Sequence, residues 1–314
     1  MKTLRLFVSF LFCSCIYILS HGQTRLSQGD HFAQINGIRI HYYVSGRGPV
    51  CLLPSPGWGP SIGYLKSTLK PFEKYFTMVY YDTRISGQST GPSDTTKYTS
   101  KDFMDDMDAL RIYLGQQKVW LMGHSAGGFQ VLNYGIHHND HAKGIIVLDG
   151  VAGGDSLRFV ELTRLVLKRK GQPYYEKGAD IILGKDTTNY TLAEMIPLIL
   201  PFYFHDPGKI KEFLKLDVSQ MSEQAKHYST AAGFDTEYLF PDLGKITVPT
   251  LVVVGDDDFV CDKISQADRI VKSIPSSSEI VIKDAGHFCW FEQPDQFYSE
   301  CSSWLKKQNV FKNN

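Results

Sequence analysis

The residues best suited to do chemistry stand at Gly123-His124-Ser125-Ala126-Gly127. A serine between two glycines, after an apolar run and before a helical stretch, marks a sharp strand-to-helix turn. Glycine at 123 and 127 lets neighbouring backbone pass where a Cβ would collide. Such a turn exposes the Ser125 hydroxyl. The helix N-terminus behind it offers N–H groups and positive dipole character to developing negative charge. The amide of Ala126 is the expected first oxyanion donor. An ordinary Gly-rich turn is the plain alternative, and the position at a strand-helix junction argues against it.

A serine hydroxyl is a weak nucleophile at neutral pH and needs a base. Of the ten histidines, His287 in Asp284-Ala285-Gly286-His287 alone directly follows a late strand. His137, His138 and His141 cluster where a helix ends, and they read as a solvated turn rather than a metal site. The base in turn needs an orienting carboxylate. Asp256, Asp257 and Asp258 follow the apolar run ending at Gly255. Asp258 is the expected partner of His287, with Asp257 in reserve. Asp149 competes because it also ends an apolar strand. The chain order Ser, Asp, His is the one that accompanies this kind of elbow.

These residues must be held by a scaffold, and the hydrophobic pattern supplies one. Strands are expected over 35–44, 50–53, 76–81, 118–122 and 145–148, with helices over 64–75, 103–114 and 129–137 between them. Phe103, Met107, Leu110 and Leu114 form one helical stripe, with Ser100 as the N-cap and Gly115 as the stop. Strand and helix alternate on short connections, so the fold class is α/β with a mostly parallel sheet covered on both faces. The rhythm breaks after Asp149. Residues 150–246 read as helical with irregular prolines and many aromatics, among them Tyr174, Tyr175, Tyr190, Phe202, Tyr203 and Phe204. Strands resume at 248 and 279, and a helix over 294–306 closes the chain. The organisation is therefore one sheet domain, 23–149 and 247–314, interrupted by a helical cap insertion at 150–246.

The 314-residue chain has 33 basic and 33 acidic residues, so it lacks the basic excess that nucleic-acid binding requires. With 43% apolar and 21% charged residues it can bury a large core and is not a disordered chain. Lys2 and Arg5 precede an uncharged run at 6–19, too short for a bilayer span and suited to a signal peptide cut after Gly22. Lipidation at Cys15 fits its flanks poorly. No later stretch is apolar enough to span a membrane. Cys51, Cys261, Cys289 and Cys301 remain after the cut, in an export setting that tolerates disulfides. Buried small hydrophobes are the plainer reading for them. Cys261 and Cys289 lie on the acid and histidine loops and could bridge if those loops meet.

Several further stretches carry a resemblance. The segment NGIRIHYYVSGRG resembles the opening hairpin of the α/β-hydrolase-fold enzymes, and YYDTRISGQS resembles their Asp-x-Arg-Gly-x-Gly-x-Ser loop. VPTLVVVGDDD and AGHFCWFEQPDQF resemble the acid and histidine segments. The chain is similar to the proline-iminopeptidase-like and small-esterase branch. That likeness implies a Ser125-His287-Asp258 triad, an acyl-enzyme, and no metal or organic cofactor. It also aligns Leu53-Pro54-Ser55-Pro56-Gly57 with the family's His-Gly-x-Pro-Gly, which makes the Ser55 amide the second oxyanion donor. Pro54 and Ile85 depart from that pattern, each standing where glycine is usual.

The implied activity is hydrolysis of an ester or amide in a small, partly apolar molecule or short peptide. N-terminal proline release is the narrower option. That option needs carboxylates for the substrate ammonium, and Glu161, Glu176, Glu194 and Glu212 are the insertion's glutamates considered for it. Acyl transfer to an acceptor other than water uses the same triad. Epoxide-hydrolase and dehalogenase chemistry is disfavoured, because such relatives place an Asp where Ser125 stands. A non-catalytic binding protein on the same fold is the alternative of another class. Oligomeric state is not legible.

Overall fold

The computed structural model describes residues 25–218 and 220–310. The expected leader at 1–22 lies outside them. Eight strands form one sheet: β1 (Gly29–Ile35), β2 (Ile38–Gly46), β3 (Val50–Pro54), β4 (Thr77–Tyr81), β5 (Val119–His124), β6 (Ala142–Leu148), β7 (Thr250–Gly255) and β8 (Ser277–Ile282). Their spatial order is β1-β2-β4-β3-β5-β6-β7-β8. β1 and β2 pair antiparallel, β2 meets β4 antiparallel, and every later pairing is parallel.

The strand expected over 35–44 is a turn followed by most of β2, and β1 before it completes the opening hairpin that the resemblance implies. Asn36 and Gly37 have φ of 47° and 77°, the left-handed pair that a two-residue turn requires. Tight turns of this kind join only antiparallel strands; the parallel ones are joined by helices. These include α1 (Gly63–Thr68), α2 (Ser100–Tyr113) and α3 (Ala126–His137). Pro71 follows α1, and residues 70–74 tighten into a 3-10 turn, so the helix expected to reach 75 stops early. The cap of α2 is Thr99, in a reciprocal capping box with Asp102, and Ser100 is the first helical residue.

Central strands are apolar on both faces because helices cover both sides. Alternate residues divide accordingly. Leu52, Val79, Leu121 and Val147 pack with Met107, Leu110, Phe129 and Leu132 on one side. Cys51, Met78, Met122 and Ile146 pack with Phe72, Trp290, Phe297 and Leu305 on the other. Each fully buried Leu or Phe contributes roughly 1.5–3 kcal/mol of transfer free energy.

Between β6 and β7 the chain is helical: α4 (Ser156–Leu167), α5 (Tyr175–Ile182), α6 (Leu192–Ile199), α7 (Ile210–Phe213) and α8 (Glu223–Ala231). This segment is tied to the loop after β3. Ser61 donates its amide to Gln220 O at 3.0 Å, and Ser222 donates its amide to Gly59 O at 3.0 Å. After β7 come α9 (Asp268–Ser273), α10 (Cys289–Glu292) and the closing α11 (Pro294–Lys307). No described helix is long and apolar enough to cross a membrane.

Candidate active site

Three loops at the carboxyl ends of β5, β7 and β8 carry the chemical groups, as expected at the open edge of a parallel sheet. Ser125 stands between β5 and α3 with φ 57° and ψ −124°, a strained conformation for a residue with a Cβ. Two backbone bonds hold it. The Ser125 amide donates to Leu148 O at 3.1 Å, and the Gly128 amide donates to Ser125 O at 2.8 Å. A Cβ at Gly123 would lie 2.1 Å from Gly127 O, so glycine is obligatory there. The same argument fails at Gly127, where the nearest atom, Pro54 O, would be 3.5 Å away. The second forced glycine is Gly128, whose added Cβ would meet Gly150 Cα at 2.8 Å.

His287 Nδ1 donates to Asp258 Oδ2 at 2.8 Å, and both side chains are buried. The other Asp258 oxygen accepts the amides of Val260 (2.8 Å) and Cys261 (3.1 Å), which fixes the carboxylate's direction. Asp257 turns away and pairs with Lys168 (2.7 Å) and Arg169 (3.3 Å). Asp149 also turns away, accepting the Gly255 amide at 2.8 Å and the Cys289 amide at 3.4 Å. Burial beside the Asp258 charge pushes its carboxyl well above the carboxylate range. The four described cysteines are unbridged and buried, so Cys261 and Cys289 form no disulfide, and the reading as small hydrophobes holds.

Ser125, Ala126 and His287 all line one cavity of about 520 Å³. The Ser125 hydroxyl makes no hydrogen bond among the described residues, and such contacts often tighten only when substrate arrives. Ala126 is the first residue of α3, so no carbonyl within the helix can accept its amide. Ser55 does not supply the second donor. Its amide extends the sheet ladder to Tyr81 O at 2.9 Å, and the residue is fully buried. Pro56, next in the chain, has no N–H. The Gly57 and Trp58 amides, by contrast, have no acceptor among the described residues, and Trp58 lines the cavity.

The rest of the wall is mostly apolar: Leu192, Ile196, Leu200, Tyr203, Phe213 and Phe288 contribute to it. Of the six aromatics singled out in the 150–246 insertion, Tyr203 alone lines it. Tyr175 and Phe202 instead pack with Phe259 in a separate cluster. Glu161, Glu176, Glu194 and Glu212 do not line it either; Glu161 pairs with Arg164 at 2.7 Å, and Glu194 caps α6. The carboxylates that do face it are Glu223 and Asp235. Glu223 accepts the Leu192 amide. Burial raises the Asp235 carboxyl above its ordinary value, opposed by the nearby Arg158 charge.

Two supporting residues escaped the sequence reading. His124 Nε2 donates to His287 O at 3.0 Å, so its Nδ1 accepts from the Tyr64 hydroxyl at 2.8 Å. Burial, and then the nearby His287 charge, push this ring's pKa well below its ordinary value, so it stays neutral. Glu292 accepts three amides: Gly286 at 2.7 Å, Asp206 at 2.9 Å and His205 at 3.1 Å. It thereby ties the histidine loop to the helical segment. Only its place within the resembling segment AGHFCWFEQPDQF could have signalled it. At the far end of α3, His141 Nδ1 lies 3.1 Å from Asp108 Oδ1. Asp108 also accepts from Arg111 and Tyr134. Burial opposes its charge, but those bonds prevail and hold the carboxyl at about 2, as in a salt-bridged turn.

The chain belongs to the α/β-hydrolase fold family, whose pattern it matches over residues 55–294, and it is a hydrolase. Within that family it is proline-iminopeptidase-like. The proline iminopeptidase of Thermoplasma volcanium is 27% identical over 296 residues, covering 88% of this chain and 97% of that protein. The soluble epoxide hydrolase of a Corynebacterium species is 25% identical over 276 residues, covering 84% and 92%. The crystal structure of a Mycobacterium smegmatis proline iminopeptidase shares the fold with a TM-score of 0.72 at 16% identity, covering 91% of this chain and all of that one.

Proposed function

We propose that the protein cleaves an ester or amide bond of a small, partly apolar substrate through an acyl-enzyme on Ser125. The observation that carries this reading is the 2.8 Å bond from His287 Nδ1 to Asp258, with Ser125 and His287 on the wall of one cavity. In the first step Ser125 Oγ attacks the carbonyl carbon while His287 Nε2 takes its proton. Asp258 holds the tautomer that leaves Nε2 unprotonated and stabilises the imidazolium that forms. The Ala126 amide holds the oxyanion, and an amide of the Gly57–Trp58 turn completes the hole, each donor worth about 3 kcal/mol. His287 then protonates the leaving group. It next activates water, which releases the acid and restores the serine.

The segment 150–246 acts as a cap that limits substrate size. Among hydrolytic options, release of an N-terminal proline is supported by the relatives and by Asp235 and Glu223, carboxylates able to meet an ammonium. Ser125, in place of an Asp at the elbow, speaks against epoxide opening. A panel of p-nitrophenyl esters run beside proline β-naphthylamide tests the choice. Prolyl turnover that vanishes in Ser125→Ala supports the peptidase. Ester turnover alone supports an esterase, and no turnover on either supports a binding protein. We also propose export through cleavage of residues 1–22. N-terminal sequencing of exported protein should begin at Gln23, and retention of Met1 would reject it.

A further inference from the structure

The cavity wall carries a single lysine or arginine among the described residues, Arg158. Arg158 lies in the first turn of α4, where its amide is capped by Asp155 at 3.1 Å. Its Nε is shut off from solvent and has no hydrogen-bond partner among the described residues. Among the described residues the guanidinium makes one hydrogen bond, from Nη2 to Val260 O at a long 3.4 Å. Val260 is two residues past Asp258 and gives that carboxylate its amide, so Arg158 sits against the acid loop.

Apart from Asp235, the acids near it are committed elsewhere. Asp155 pairs with Arg269 at 2.9 Å, Glu161 with Arg164 at 2.7 Å, and Asp257 with Lys168 at 2.7 Å. Asp262 caps Ser265, and Asp258 holds His287. Asp235 is within electrostatic reach but forms no ion pair with Arg158 among the described residues. A guanidinium on an apolar wall with unused donors is costly unless an acceptor arrives to meet it. Its planar fork matches a carboxylate through two parallel hydrogen bonds.

We propose that Arg158 is a specificity residue that binds a carboxylate on the substrate, away from the bond being cleaved. The inference rests on Ser125 as nucleophile and narrows the substrate class to acids: half-esters of dicarboxylic acids, or short peptides with a free C-terminus. An internal pairing with Asp235 is the competing arrangement. It would make Arg158 structural and indifferent to substrate charge.

The test compares mono-p-nitrophenyl glutarate with p-nitrophenyl pentanoate, similar acyl chains with and without a carboxylate. Wild type should favour the glutarate ester. Arg158→Gln should lower kcat/KM for it about 30-fold or more while the pentanoate changes by less than about threefold. Arg158→Lys should restore part of the loss. Equal effects on both esters, or no preference in wild type, would overturn the proposal. The pentanoate rate and fluorophosphonate labelling report whether the variants are folded and Ser125 is reactive. A second readout needs no turnover: glutarate should raise the Tm of Ser125→Ala, and the added Arg158→Gln change should remove that shift. If wild type is not labelled, the serine reading fails first, and the glutarate shift still decides on Arg158.

Discussion

Replacing Asp258 by Asn isolates what the buried carboxylate does. The side chain is about 1% exposed and spends one oxygen on Val260 and Cys261 amides and the other on His287. Asparagine keeps its carbonyl on the two amides, because its NH2 cannot face two donors. The NH2 then points at His287 Nδ1 and forces the proton onto Nε2, the nitrogen that must accept from Ser125. The charge that steadies the imidazolium is lost too. The expected fall in kcat is about 10³–10⁴, or about 4–5.5 kcal/mol of barrier. The fold loses one charged hydrogen bond, about 1–2 kcal/mol, so the variant should still unfold cooperatively a few degrees lower. The assay pairs steady-state hydrolysis of an activated ester with thermal melting. Activity within about tenfold of wild type would refute the argument. So would a result in which Asp257→Asn, not Asp258→Asn, abolishes turnover. Asp257 binds Lys168 and Arg169, so its loss should cost stability and spare the chemistry.

Other outcomes follow from the same geometry. Gly123→Ala should abolish activity and lower Tm, because its Cβ would meet backbone at 2.1 Å. Gly127→Ala should fold at least as well and keep activity within about threefold, since a helical Ala gains roughly 0.5–1 kcal/mol over Gly; an equal collapse of both variants would show the elbow argument wrong. Glu292→Gln faces an NH2 toward amide donors and should cost about 2–3 kcal/mol in a urea titration while lowering kcat. Unchanged stability would show that the three bonds to Glu292 are worth little. Burial opposes protonation of His41, but hydrogen bonds to Asp82 and Asp30 prevail and raise its pKa. A raised folded pKa adds stability below the unfolded value and loses it as pH climbs through the folded one. The penalty of His41→Gln should therefore shrink as pH rises above the ordinary histidine value of 6.5, and a growing penalty would reverse that sign.

The sheet and the approach of His287 to Asp258 were legible because they rest on local signals. Apolar runs mark the buried strands, Gly123 marks the elbow, and a histidine directly after a late strand has little choice of direction. Ser55 was misplaced because alignment to a motif does not say where the ladder ends; β3 runs one pairing further, and Tyr81 takes that amide. The strand pattern over 35–44 runs through the Asn36-Gly37 turn, and only the resemblance to the family's opening hairpin implied it. The cavity wall was hardest to read. Its residues come from short helices with interrupting prolines, so no period distinguishes Arg158, which faces the cavity, from exposed Phe159 beside it. The His124 bond to His287 and the Glu292 bonds to His205 and Asp206 span 163, 87 and 86 residues of sequence, which no local pattern encodes.

The central claim is that Ser125 becomes acylated. Fluorophosphonate treatment followed by peptide mass mapping tests it at the atom concerned. One adduct, on Ser125, absent in Ser125→Ala and strongly slowed in Asp258→Asn, is the predicted result. An adduct on another residue, or undiminished labelling of Ser125→Ala, would contradict it.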